Sequence, residues 1–218
     1  MPTCPNTQSL VLLGGGGHAL VVADAADRAG SQIRGVYDDA DLPLLVEARP
    51  GIPRLGPLGD LGPASLAGEA WIIAVGELGS RRRLVERLGT DGAAELIHPS
   101  AIISASATIE PGTFIGPGAI INAGAHIRAH AIINTGSIIE HGCEIGGNAH
   151  IAPGAVLGGD VRVGADTLIG LGSRVLPGVT IGHGCTIGAG AVVVRDIQPG
   201  TTAVGCPAGV LNDISSRR

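Results

Sequence analysis

The chain has 218 residues, enough for one large domain or two small ones, and is 44% hydrophobic with positive mean hydropathy. One Phe, one Trp and one Tyr are its only aromatics, so a core must consist of aliphatic layers, and 37 glycines with 14 prolines exclude a long-helix architecture. A net charge of −5 without a single Lys argues against nucleic-acid binding, and no stretch approaches the ~20 apolar residues of a membrane span.

Met1 to Leu10 carries neither a charged n-region nor an apolar run, so no signal peptide is expected. Ser9 to Leu13 then reads as a short buried strand, followed by Gly14-Gly15-Gly16-Gly17 and an Ala-rich helix from about His18 to Ala29. Ile33 to Tyr37 reads as a second strand ending in Asp38-Asp39. Trp71 to Val75 reads as another, followed by Gly76 and an Arg-rich helix near Ser80 to Leu88. Together these predict a small β-α-β unit of Rossmann type. Gly14, Gly16 and Ala19 fit G-x-G-x-x-A, which brings backbone close to a phosphate at a helix N-terminus, and the acidic pair stands where a carboxylate meets a ribose or base. No second dinucleotide half follows, so a nucleotide is expected rather than NAD.

From Ile97 to Val193 an aliphatic residue recurs every six positions without a break, for instance at Ile115, Ile121, Ile127, Ile133, Ile139 and Ile145. Four residues after each stands a mostly small one, such as Ala119, Ala125, Ala131, Ser137 and Cys143, and glycine often follows the aliphatic directly. A period of six matches neither a helix nor a simple alternation. It fits short strands joined by regular bends in a parallel β-helix. The repeat resembles that of the hexapeptide-repeat acyltransferases, and the resemblance implies a left-handed coil of three such units, in which residues eighteen apart stack. That register puts Glu110 under Arg128, aligns His126, Glu144 and Arg162, and gives His141 the neighbours Ala123 and Gly159. Burying the interior aliphatics alone does not offset the entropy of ordering about a hundred residues, so a covered outer face, and with it an oligomer, is expected. The expected organisation is an α/β Rossmann-like domain over 1–95, which the resemblance makes nucleotide-sugar-binding, then, as the resemblance also implies, an all-β left-handed parallel β-helix over 96–208, and a tail over 209–218. Cys4, Cys143, Cys185 and Cys206 show neither CxxC pairing nor disulfide spacing, which predicts free thiols and a cytoplasmic home.

The segment Asn134-Thr135-Gly136-Ser137 through Glu140-His141 resembles the signature of one branch of the hexapeptide-repeat acyltransferases. That branch holds nucleotide-4-amino-sugar N-acetyltransferases and proteins labelled sialic acid O-acetyltransferases. Gly17-His18, Tyr37-Asp38-Asp39, Ile97-His98-Pro99 and Gly205-Cys206-Pro207-Ala208 extend the resemblance over essentially the whole chain, in the same order. It implies a left-handed coil, a homotrimer with sites between subunits, acetyl-CoA as co-substrate without a metal, and a nucleotide-linked amino sugar as acceptor. His141 matches the catalytic base and Asn134 a residue lining the acceptor site. His150, Leu171 and Ala189 match CoA contacts. Gly16, Gly17, His18, Asp38, Asp39 and Gly76 match the nucleotide-sugar pocket.

Chemistry supports His141 independently of the resemblance. An attacking amine must lose a proton, imidazole accepts one near neutral pH, and Ala123 and Gly159 leave a notch beside the ring. Many relatives carry an acid directly after the base, where this chain has Gly142, so Glu140 or a backbone carbonyl is expected to serve. Gly209 likewise replaces a basic residue that would meet CoA phosphates, leaving Arg174, Arg195 or Arg217-Arg218. His98 is read as fixing the domain junction, and His126 and His130 as surface residues. Competing readings are sugar O-acetylation, a γ-type carbonic anhydrase using zinc through histidines, and a sugar-nucleotide-binding scaffold without catalysis.

Overall fold

The computed structural model describes residues 9–211. Its N-terminal domain is a parallel four-stranded sheet in the order β3-β2-β1-β4, with β1 Ser9–Leu13, β2 Gln32–Tyr37, β3 Arg54–Gly56 and β4 Ala70–Ile73. Helices α1 (Gly17–Arg28), α2 (Leu44–Ala48) and α3 (Leu78–Leu88) connect or flank the strands. Leu10 to Leu13 are buried, and α1 turns Ala19, Val22, Ala23 and Ala26 inward. The Rossmann-type expectation holds. The sequence reading missed α2 and β3, which are too short to show a period.

From Leu96 onward, two-residue strands wind into three parallel sheets whose partners are eighteen residues apart: Ile115 pairs Ile133, Ile121 pairs Ile139, and Ile127 pairs Ile145. This is the left-handed β-helix expected from the repeat. Its interior is a column of the predicted aliphatics, buried from Ile115 to Val193, with Ile97, Ile103 and Ile109 partly covered at the open end. Ala119, Ala125, Ala131, Ser137, Cys143 and Ala149 are buried beside them. After Val193 the last coil shortens, pairing Ile187 with Ala203, and Gly209–Val210 folds back antiparallel onto Ala203–Val204. The start of the predicted tail is therefore a closing strand; Cys4, Arg217 and Arg218 lie outside the described residues.

Glycines serve two distinct purposes here. The one directly after an interior aliphatic leaves room for the next coil: a Cβ on Gly116 would stand 2.9 Å from the Thr135 nitrogen. The bend itself falls two residues later, in left-handed backbone, where Gly136 and Gly142 sit at φ near 65°. Four bends use other residues, His130, Asn148, Asp160 and Asp166.

The three outer faces differ chemically. The first carries Leu96, Phe114 and Ile132, all buried in a common core with Leu10, Leu12, Ala19 and Val22 of the N-terminal domain. The second carries Ile102, Ile120, Ile138 and Val156 in one column, with Ile102 65% exposed. The third carries Thr108, His126, Glu144 and Arg162, a polar column in which Glu110 binds His126 at 2.8 Å and reaches Arg128 at 3.5 Å.

Polar contacts lock the domains together. Arg81, 1% exposed, donates to Asn148 Oδ1 and to the Asn148 carbonyl at 2.6 Å each, while Asn148 Nδ2 donates to Asp166 at 2.8 Å. Arg82 pairs with Asp166. His130 departs from its expected surface position: it is 2% exposed, stacks on Trp71 at 5.8 Å and donates from Nε2 to the Gly89 carbonyl at 2.9 Å. The repeat places it on a corner, and only the docking of the N-terminal domain covers that corner. His98 holds its own turn, its Nδ1 accepting from Ser100 N at 3.1 Å, and faces α1 across a groove shared with Asp24 and Asp27.

Candidate active site

The glycine-rich loop follows β1 at the carboxyl edge of the sheet, where the strand order reverses and ligands of such folds settle. Gly14 (φ 106°) and Gly15 are packed tightly, since Cβ atoms there would strike Val75 at 2.5 Å and Pro43 at 2.6 Å. Gly16 and Gly17 open into free space and start α1 without a side-chain cap, leaving first-turn N–H groups for an anion. The Asp38 carboxylate accepts from Gly15 N at 2.6 Å and Ala40 N at 2.8 Å, so this acid holds the loop in shape. Asp39 accepts from Gly59 N at 3.2 Å and lines a cavity of about 480 Å³ with Leu58, Val75, Ser80, Arg83 and Arg87. The two arginines escaped sequence reading; their four-residue spacing on an exposed helix face was the available signal. Another concavity, near 320 Å³ beside Trp71 and Leu66, lies at the opposite edge of the sheet, away from every candidate residue.

Where the loop meets the first β-helix face, His18, Gly76, Asn134 and His150 converge. Thr135 N donates to Asn134 Oδ1 at 2.8 Å, which turns the amide nitrogen toward His150 Nε2 at 3.1 Å. That ring nitrogen must accept, so Nδ1 carries the proton. His18 packs edge-on against Phe114 at 5.4 Å and lies 6.4 Å from the His150 ring. Burial, reinforced by the Arg81 guanidinium, pulls both imidazoles from 6.5 to about 4, with His18 adding to the effect on His150. Both rings are neutral at physiological pH. His150, expected to meet CoA, is thus engaged from one side by its own N-terminal domain.

These depressed values make stability pH-dependent. Between pH 6.5 and 4 the unfolded chain binds protons at these rings that the folded protein excludes, so their contribution is full above 6.5 and is lost as pH falls toward 4. The loss is expected to be about 2–3 kcal/mol per ring. Urea titrations from pH 7.5 to 4 check this: His18→Gln should flatten the decline by one ring's worth, and an unchanged slope would refute it.

His141 sits at the corner between the aliphatic and polar faces, exposed, in the predicted stack. Gly142 N donates to the Ala123 carbonyl at 3.0 Å, and the His141 carbonyl accepts from Asp160 N at 2.8 Å. The ring lies over Gly159, where a Cβ would stand 2.5 Å from both Cε1 and Nε2. Only glycine above leaves the imidazole this position. Glu140 is half-buried on the same corner, its backbone in the ladder with Leu157.

The candidates therefore fall into two groups. Asn134, Leu171 and Ala189 line the corner between the first face and the aliphatic face, with Leu171 57% exposed, and His150 joins them from the first face. His141 and Glu140 line the corner at the other end of the aliphatic face, beyond the strand Ile138–Ile139. Six residues of extended chain separate these corners by up to ~20 Å, and no single chain unites them. His126, His130 and His150 bond to separate partners and His141 lies over Gly159, and among the described residues no three metal-ligating side chains converge.

A coiled acyltransferase scaffold carrying an α/β domain with a glycine-rich turn is the class this geometry defines, and family comparisons agree. The PglD N-terminal domain model matches residues 9–88, the GMPPB C-terminal domain model residues 93–177, and the bacterial transferase hexapeptide model (six repeats) residues 160–195. The chain belongs to the hexapeptide-repeat acetyltransferases, in the branch of amino-sugar N-acetyltransferases. Among solved structures, it is similar to PerB from Caulobacter crescentus in complex with CoA and GDP-perosamine, with 36% identity and a TM-score of 0.84 over 95% of this chain and 99% of that one. The H141A mutant of GDP-perosamine N-acetyltransferase from the same organism, also with CoA and GDP-perosamine, matches at 34% identity, TM-score 0.84 and the same coverage. The acetyltransferase domain of PglB from Neisseria gonorrhoeae in complex with acetyl coenzyme A matches at 34% identity and TM-score 0.84, over 94% of this chain and all of that one. No curated protein sequence matches the chain.

Proposed function

We propose that the protein transfers the acetyl group of acetyl-CoA to the 4-amino group of a nucleotide-linked amino sugar, in a cytoplasmic homotrimer whose sites lie between subunits. The observation that carries this reading is the uncovered aliphatic face bounded by the two halves of the candidate site. Turning that face toward a three-fold axis buries Ile102, Ile120, Ile138 and Val156, and brings the His141 corner of one protomer against the Asn134 corner of the next. Structures of relatives bound to CoA and to GDP-perosamine support both substrates.

In this arrangement the nucleotide is gripped by the glycine-rich loop and the Asp39–Arg83–Arg87 cavity, and its amino sugar extends toward Asn134. Acetyl-CoA runs along the groove past Leu171 and Ala189. The amine nitrogen attacks the thioester carbon while His141 takes the proton from that nitrogen. The tetrahedral intermediate collapses with cleavage of the C–S bond, and the departing thiolate takes the proton back from the imidazolium. No acyl-enzyme forms; Cys143 and Cys185 are buried, and burial pushes the Cys143 thiol up to about 11. Arg174 and Arg195 stand on the aliphatic face and on the His141 corner, where CoA phosphates can meet them.

The test is a thiol-release assay with acetyl-CoA and three acceptors: UDP- and GDP-linked 4-amino sugars and a free sialic acid. Release is expected with a nucleotide-linked amino sugar and not with sialic acid. Release with sialic acid alone would identify an O-acetyltransferase, and release with none would point to a binding scaffold.

A further inference from the structure

Four bends of the β-helix hold left-handed backbone without glycine, and three have an evident reason. His130 stacks on Trp71, Asn148 receives Arg81, and Asp166 pairs with Arg82. The fourth, Asp160 at φ 60°, is exposed, and its carboxylate accepts no hydrogen bond and forms no ion pair among the described residues. A side chain in this conformation is disfavoured relative to glycine, so its retention without a structural partner points to another use.

Its position supplies that use. Asp160 lies one coil above Gly142, and its Oδ1 occupies the space a Cβ on Gly142 would need. Its backbone N–H donates to the His141 carbonyl at 2.8 Å, and its neighbour Gly159 carries the His141 ring. The Asp160 carboxylate thus reaches down to Gly142 while the His141 ring reaches up to Gly159, on the same corner of adjacent coils. Gly142 then has a steric explanation: any side chain there would displace the acid from above. Glu140 is the other acid on this corner, and the negative field of both adds to the burial that raises the Cys143 thiol.

We propose that Asp160, reaching down from the next coil, is the positioning residue that orients His141 and stabilises its imidazolium during transfer. This rests on the reading of His141 as the base. In the transition state the imidazole gains a positive charge, and a carboxylate on the coil above favours that state over the resting one. Glu140 directly precedes the base on its own coil, whereas Asp160 overhangs the backbone just after it.

Asparagine and glycine both tolerate the bend, so Asp160→Asn and Asp160→Gly retain the fold while removing the charge. Each is expected to lower kcat about 10- to 100-fold, with KM for both substrates within about threefold. The double variant Asp160→Gly with Gly142→Asp moves the carboxylate to the lower coil, into the space just vacated. It is expected to recover most of the lost kcat. A kcat within twofold of wild type for Asp160→Asn, or no recovery in the double variant, overturns the proposal. His141→Ala is measured in parallel: full activity there overturns the base and Asp160 together, whereas a dead His141→Ala beside a fully active Asp160→Asn removes Asp160 alone.

Discussion

Replacing His141 by Ala is expected to lower kcat for acetyl transfer about 10²–10⁴-fold, while nucleotide-sugar affinity stays within about threefold. The asymmetry follows from the position of the ring. His141 lies on the corner opposite its own chain's glycine-rich loop, Asn134 and His150, so as the proposed base it would act in proton transfer rather than in holding the nucleotide. Nor is it structural: it is exposed, and its stack consists of Ala123 and Gly159, which need no side chain between them. Steady-state kinetics together with calorimetric titration of the nucleotide sugar check this. An unchanged kcat would exclude the base role, and a matching loss of affinity would mean that the ring binds substrate instead.

Co-expressing His141→Ala and Asn134→Ala chains, each inactive alone, is expected to restore about a quarter of wild-type activity per site, because random trimers join intact corners at that frequency. The physical ground is the separation of the two half-sites by the full width of one face. If both halves acted within one chain, every site in a mixed population would still carry one lesion and activity would stay at the single-variant level. Separately purified variants that remain inactive on brief mixing, but gain activity after co-expression, would further show that the subunits do not exchange quickly. The partly exposed aliphatic column predicts such slow exchange, since Ile102, Ile120, Ile138 and Val156 would return to water when the proposed trimer opens.

Legibility of the site varied with how local each cause was. The stacking of His141 between Ala123 and Gly159 follows from counting eighteen residues, and the coordinates reproduce it. Asp38 and Asp39 were found as a pair, but their division of labour was not: one holds Gly15 and the other faces the Arg83–Arg87 cavity, a difference set by how β2 and α2 converge. His130 was misplaced because a corner position in a repeat carries no sign of what docks on it. Asp160 went unnoticed because its importance lies in contact with a residue eighteen positions earlier, and sequence marks it only as a bend without glycine.

The sequence by itself determined the coil, its register and the identity of the residues pointing inward, because a strict period of six admits one way to bury an aliphatic at every strand. It also determined the glycine-rich turn after the first strand, which depends on glycines adjacent in the chain. Only the tertiary structure decided which face the N-terminal domain covers, which face stays apolar and open, and that His141 and Asn134 stand at opposite ends of it. Those outcomes depend on how Phe114, Arg81 and Trp71 meet partners far away in sequence, and no local pattern encodes that meeting.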